Sequence, residues 1–239
     1  DRVNKNLIVV NISGNAVAMP WISEVPAVIQ AWYLGTEAGN AIASVLVGDV
    51  NPSGKLPFTF PEKLEDVGAH QLGDYPGRQR EDGIFDEKYN ESIFVGYRWT
   101  DKQKIRPLFP FGHGLSYTTY AYSNLKVDKP NFTADDILTF TVDVKNTGNR
   151  IGKESVLLFS SDLIASLTPD VRRLRAFEKV ELRPGEVKTV TLKVKGSDLA
   201  FVGYDGKWIL EKGDFRIQTG NQTLNICCTD TKKWDTANK

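Results

Sequence analysis

The sequence predicts two architectures in tandem: a partial, mostly parallel α/β sandwich, followed by an all-β sandwich of two packed sheets. Three observations carry this reading. The first fifty residues alternate continuous apolar runs with a segment of helical period, the grammar of an α/β unit. From residue 121 onward the pattern changes to apolar and polar residues in strict alternation. Between them, Glu62 to Asn90 follows neither period and is dense in Gly, Asp, Glu and Arg. The implied division is 1–90 for the α/β part with its long loop, 91–120 for a linker, 121–228 for the sandwich and 229–239 for a polar tail.

Leu7 to Ile12 is an apolar run of the kind expected for a central parallel strand covered on both faces, and Ser13-Gly14-Asn15 turns it. Met19-Pro20-Trp21-Ile22 suits a helical turn before a second strand at Ala27 to Tyr33. Behind Gly35, a helix is predicted with Ala41, Ile42, Val45 and Leu46 on one face, Thr36 as its N-cap and Glu37 at the positive end of its dipole. Gly48 ends it, Asn51-Pro52-Ser53-Gly54 turns, and Leu56-Pro57-Phe58-Thr59-Phe60 is extended. Ile93 to Trp99 reads as an aromatic strand or a tight helix-to-strand passage, and Pro107 to Gly112 as a proline-bounded extended segment.

In the second half, Leu138, Phe140, Val142 and Val144 alternate with Thr139, Thr141, Asp143 and Lys145; the same holds around Val190, Leu192 and Val194, around Phe215 and Ile217, and around Leu224, Ile226 and Cys228. Turn signals at Asn146-Thr147-Gly148-Asn149, Arg183-Pro184-Gly185-Glu186, Tyr204-Asp205-Gly206-Lys207 and Gly220-Asn221 separate them. About seven short strands in roughly a hundred residues describe an immunoglobulin-like sandwich. No Cys…Trp…Cys pattern accompanies it, so an antibody-type domain is excluded. Trp21, Trp32 and Trp208 are expected as core or seam aromatics, and Trp234 as the one apolar anchor of a frayed tail.

Composition narrows the function classes. Thirty basic and thirty acidic side chains cancel, which gives no bulk attraction to nucleic acid or anionic membrane. No stretch approaches the roughly 20 apolar residues of a membrane helix. Two histidines, His70 and His113, with adjacent Cys227 and Cys228, do not assemble a zinc-type ligand set, and neighbouring cysteines on a strand point to opposite faces, so a disulfide between them is not expected. Gly14, Gly35 and Gly54 read as turn glycines and not as a phosphate cradle, and no Gly-x-Ser-x-Gly elbow occurs. No cofactor is implied. Among local carboxylates, Glu37 is the best candidate for chemistry, because it lies at the C-terminal end of a strand where open α/β sheets place their sites, but its position behind Thr36 gives the preferred, helix-start explanation that needs no substrate. Asp49, Glu81, Asp82 and Glu91 have nothing beside them in sequence to mark a general acid. In the long loop, Tyr75, Arg78, Arg80, Phe85 and Tyr89 are the residue types that could line a sugar site, rings stacking on pyranose faces and arginines donating to hydroxyls; the plainer reading is a connector packed against a neighbouring domain.

Several stretches carry a resemblance to a known family. Gly35 to Ala41 (G-x-E-x-G-N-A), Gly48 to Pro61 (G-D-V-N-P-S-G-K-L-P-F-T-F-P) and Phe109 to Thr118 (F-P-F-G-H-G-L-S-Y-T) resemble glycoside hydrolase family 3, especially its β-glucosidase-like members. Val144 to Glu154, Phe177 to Glu186 and Asp198 to Trp208 resemble the fibronectin type III-like domain that closes many of these enzymes. The resemblance spans residues 3–228. It implies a retaining, exo-acting β-glucosidase, in which one carboxylate attacks the anomeric carbon and a second, about 5–5.5 Å away, serves as acid and base. It also implies that both groups precede Asp1: the nucleophilic aspartate on an N-terminal barrel, and the acid/base glutamate on a loop ahead of the strand matching Leu7 to Ile12. The chain is thus expected to be a fragment, to hold no catalytic residue and to be inactive alone, with the N-terminal barrel and a β-glucoside or oligosaccharide as its partners. His113 is expected to anchor the linker. The rival reading is a non-catalytic module that binds carbohydrate or protein, or is purely structural. The residues do not disclose a compartment; the resemblance leans toward a periplasmic or secreted setting, and Asn11, Asn90, Asn131 and Asn221 sit in glycosylation sequons.

Overall fold

The computed structural model describes residues 4–235. They form two compact units, one running to Asn51 and then over Lys55–Gly114, the other comprising Pro52–Gly54 and the chain from Leu115 onward.

In the first unit, β1 (Ile8–Asn11) and β2 (Ala27–Gln30) pair in parallel, Ile8 opposite Ala27 and Asn11 opposite Gln30. The second strand is shorter than the apolar run suggests, because Ala31 donates back to the Asn11 carbonyl (2.8 Å) and Trp32 then adopts φ 56°, which turns the chain out of the sheet. The expectation of strands covered on both faces does not hold within these residues: Ile8 is 47% and Ile12 56% exposed. A two-stranded sheet has only one interstrand seam, so little of its apolar surface meets protein. Helix α1 (Ala38–Leu46) follows a 3-10 turn at Gly35–Glu37. Thr36 lies inside that turn and is not the cap; Glu37 holds the N-cap position, makes no capping bond and instead accepts from the Asn40 side chain (2.6 Å). The face carrying Ala41, Ile42, Val45 and Leu46 buries no residue fully.

The polar stretch is more ordered than its composition suggests. A 3-10 turn (Leu64–Asp66) leads into α2 (Gly68–Gln71), and the hairpin of β3 (Arg78–Gln79) and β4 (Phe85–Asp86) follows. Ile93 to Trp99 is no strand: Gly96, at φ 62°, opens helix α3 (Tyr97–Gln103), which buries Trp99 and Thr100. Lys104, in the left-handed region at φ 55°, ends it.

The second unit is a sandwich. One sheet has the order β10-β7-β5, from β5 (Tyr120–Val127), β7 (Ile137–Asn146) and β10 (Val187–Lys195), all antiparallel. The other runs β6-β14-β13-β8-β9, from β6 (Asn131–Phe132), β8 (Gly152–Asp162), β9 (Arg173–Leu182), β13 (Gly213–Thr219) and β14 (Gln222–Cys228). Leu138, Phe140, Val142, Val144, Val190, Leu192 and Val194 from the first sheet meet Val156, Leu158, Phe215, Ile217, Ile226 and Cys228 from the second in one core. The predicted alternation is realised: Cys228 is fully buried, its neighbour Cys227 half-buried, and both thiols are free. A small third sheet joins β11 (Phe201–Val202), β12 (Trp208–Leu210) and β15 (Lys232–Trp234). The predicted frayed tail is therefore paired as far as Trp234, which sits opposite Trp208 and packs on the core; two large rings side by side supply the apolar contact a short polar strand lacks.

Candidate functional site

Two features of the first unit concentrate side chains of functional type. One is a ring cluster. Phe60 and Phe109 exchange backbone hydrogen bonds (2.8 and 3.2 Å), and Leu56 donates to the His113 carbonyl while Gly112 donates to that of Leu56 (both 2.8 Å). This antiparallel pairing joins two proline-rich segments the sequence shows only as extended. It stacks Phe58 on Phe60 (5.9 Å between centroids) and sets Trp32 edge-on to Phe58 (5.2 Å). At the far end His113 stacks on Phe109 at 5.0 Å. Burial first, and the Lys55 charge second, lower the His113 pKa below the usual imidazole value. The ring is thus held neutral within an aromatic stack, and the Lys55 ammonium completes the corner by donating to the Gly114 carbonyl (2.8 Å).

The other feature is the hairpin of β3 and β4. Its base is tied by Asp74, which is buried and accepts from the backbone N–H (3.2 Å) and side-chain amide (2.6 Å) of Asn90. Gly77 is required where the strands close: its φ is 86°, and a Cβ there would lie 2.7 Å from the Asp86 carbonyl. Arg80 is occupied by its own turn, with Asp82 at 3.2 Å and Asp86 at 3.6 Å, so one of the two arginines expected to face a sugar spends its charge on the hairpin. Its N–H also donates to the Ile84 carbonyl (2.7 Å). Tyr75, Phe85 and Tyr89 do present exposed rings, and Tyr75 leans on His70 at 4.9 Å.

Of the candidate carboxylates, Glu37 and Asp82 are engaged locally, while Glu91 Oε2 is buried without a hydrogen-bond partner among the described residues. Glu37 bonds Asn40, Asp82 accepts from the Ile84 amide (3.1 Å) and pairs with Arg80, and Glu91 packs its Cβ against the position Gly68 leaves open. Among the described residues no group of three or more His, Cys, Asp or Glu side chains could hold a metal ion, and no helix is long and apolar enough to cross a membrane. Gly14 lies in a bend, Gly35 opens a 3-10 turn and Gly54 lies in irregular chain, and a Cβ on Gly14 would meet the Tyr33 ring at 2.9 Å. The pairing of Leu56–Phe60 with Phe109–His113 escaped sequence reasoning; its one signal is the matching spacing of aromatic and proline residues in the two segments.

Parallel strands, helix and ring-stacked strand pairing, followed by a Greek-key-type sandwich, define a piece of an α/β domain joined to an immunoglobulin-like module. Comparison with known proteins identifies the class. Residues 1–117 match the Glycosyl hydrolase family 3 C-terminal domain, and residues 154–223 the Fibronectin type III-like domain. The chain belongs to glycoside hydrolase family 3, of which it carries these C-terminal domains. It is 47% identical to the β-glucosidase BoGH3A of Bacteroides ovatus over 235 residues, covering 96% of this chain and 30% of that protein. With the thermostable β-glucosidase B of Acetivibrio thermocellus the identity is 42%, covering 94% of this chain and 29% of the relative. The structure of the Kluyveromyces marxianus β-glucosidase in complex with glucose superposes with a TM-score of 0.87 at 38% identity, covering 98% of this chain and 28% of that one. The β-glucosidase 3B of Thermotoga neapolitana, also in complex with glucose, gives 0.86 at 32% identity, covering 95% and 32%. The chain therefore spans about three tenths of the length of these relatives.

Proposed function

We propose that this chain is the C-terminal part of a retaining, exo-acting β-glucosidase that releases terminal β-linked glucose from oligosaccharides or glycosides, and that alone it is inactive. The carrying observation is the near-complete match of the chain to a fraction of proteins named β-glucosidases. The apolar surface of the first unit supports the same reading. Parallel strands are ordinarily covered on both faces, yet Ile8, Ile12, Leu34, Leu46 and Val47 are all exposed. In the intact enzyme that surface would pack on further sheet and barrel, and the chain would brace the loop bearing the acid/base. A retaining mechanism needs two carboxyl groups about 5–5.5 Å apart around the anomeric carbon, and Glu37 and Asp82 are each engaged locally, with an amide and with an amide and an arginine respectively. The role of this chain is therefore positional, with the rings of Tyr75, Phe85 and Tyr89 as an outer sugar contact.

The test is hydrolysis of an aryl β-glucoside. The pure 239-residue chain should show none, and the parent enzyme should turn over with retention. Turnover by the isolated chain would refute the proposal. So would parent-enzyme activity undiminished after deletion of this region.

A further inference from the structure

Gly68, the first residue of α2, is buried and lets two side chains from later in the chain close on one spot. A Cβ built on it would lie 3.3 Å from Glu91 Cβ, and 3.0 and 3.3 Å from Trp99 Cδ2 and Cε2. Trp99, on α3, is only 6% exposed. Its Nε1 is bonded directly to Cε2, one of the two ring atoms that meet the glycine. Both polar tips, Glu91 Oε2 and Trp99 Nε1, are buried, and among the described residues neither has a hydrogen-bond partner. Native proteins pair nearly all such groups, so each one left over calls for an explanation. Here one is a donor and the other an acceptor, packed against the same glycine and not reaching each other.

We propose that Glu91 and Trp99 form a buried hydration site, in which one water accepts from the indole N–H and donates to Glu91 Oε2, joining the end of the long loop to α3. The chemistry of the two groups selects the ligand. An indole nitrogen has only a hydrogen to offer and cannot coordinate a cation, whereas a carboxylate oxygen offers lone pairs. Whatever links them must accept on one side and donate on the other, as water does. Two polar partners meet the minimum that a buried water needs.

The bridge has a mechanical consequence. Glu91 follows Asn90, whose backbone N–H (3.2 Å) and side-chain amide (2.6 Å) are held by buried Asp74. Just beyond it, Ser92 stands at φ 56° and the Phe94 amide donates to the Glu91 carbonyl (3.0 Å). The chain leaving the hairpin of β3 and β4 is thus gripped at residue 90 by Asp74 and at residue 91, through water, by α3. Trp99 and Thr100 are the residues that α3 buries, so the same contact seats that helix. The bridge stands whether or not Tyr75, Phe85 and Tyr89 meet a sugar.

The test uses the 15N-labelled 239-residue chain. In NMR, the Trp99 indole N–H should show a cross-relaxation peak to a long-lived water, absent in Glu91→Met and retained in Glu91→Gln, whose amide oxygen still accepts. Exchange of the Thr100 amide, which donates to the Gly96 carbonyl (3.3 Å), reads the coupling between the two side chains. Glu91→Met should lower its protection about tenfold in the parent chain and hardly at all in Trp99→Phe, where the bridge is already gone. Three results would overturn the proposal: a parent chain without the water peak, a peak that survives Glu91→Met, or an equal loss of protection in both backgrounds. Should either apolar variant not fold, the parent chain decides by the presence or absence of the water peak.

Discussion

Replacing Asn146 by alanine is expected to be among the most damaging single changes in the sandwich. Asn146 closes β7, is completely buried and uses its whole side-chain hydrogen-bonding capacity. Its Oδ1 accepts from Thr118 Oγ1 (2.6 Å) and the Gly148 amide (3.1 Å), while Nδ2 donates to the carbonyls of Arg150 (2.7 Å) and Leu182 (3.0 Å). One side chain thus ties the entry to β5, the turn after β7 and the end of β9. Alanine strands four groups. Thr118 and Leu182 are buried, and each unsatisfied group there costs about 1–3 kcal/mol; Gly148 and Arg150 lie near water and cost less. The expected loss is about 3–5 kcal/mol. Aspartate keeps the acceptor and loses both donors, setting a carboxylate oxygen against two carbonyls; it should be at least as harmful at pH 7, and partly rescued by acid. Exchange of the slowest β7 amides, such as Val142, reads the unfolding free energy of this unit directly. An alanine variant within about 1 kcal/mol of the parent would refute the hub reasoning.

Gly196→Ala should destabilise the same unit by about 2 kcal/mol or more, because the new methyl would press into the Thr133 carbonyl; a shift below a few tenths in the same exchange experiment would show that the backbone gives way. Tyr122→Phe removes the donor to Glu154 Oε1 (2.9 Å), and Glu154 is only 8% exposed, so a loss of about 1.5–3 kcal/mol is expected in chemical denaturation. In the first unit, the folded pKa of His113 lies below its unfolded value. Stability from the neutral ring is therefore present above about pH 6.5 and lost as pH falls through the folded value. His113→Phe should abolish that acid loss, as read from exchange of the Phe60 and Phe109 amides between pH 4.5 and 7.5.

Much of the sandwich was written in local order. In β7, β10, β13 and β14 every second residue is apolar, and an extended chain turns alternate side chains to opposite faces, so period alone places Phe140 or Ile217 inside. Strand β8 hides from the same reasoning. A register shift between Leu158 and Phe159 puts Leu158, Phe159 and Ser160 all out of water, and the residues read as an unbroken run. Family membership, too, was legible from Gly48 to Pro61 and Phe109 to Thr118 before any coordinate. What the tertiary structure alone decided are matters of distant partners. Leu56–Phe60 meets Phe109–His113 across some fifty residues, Asn146 finds Thr118 and Leu182, and the Ser166 amide reaches Glu211. Side-chain period records only which way each residue faces. Which buried donor meets which acceptor, and how much water a carboxyl group keeps, are settled when remote segments close on one another.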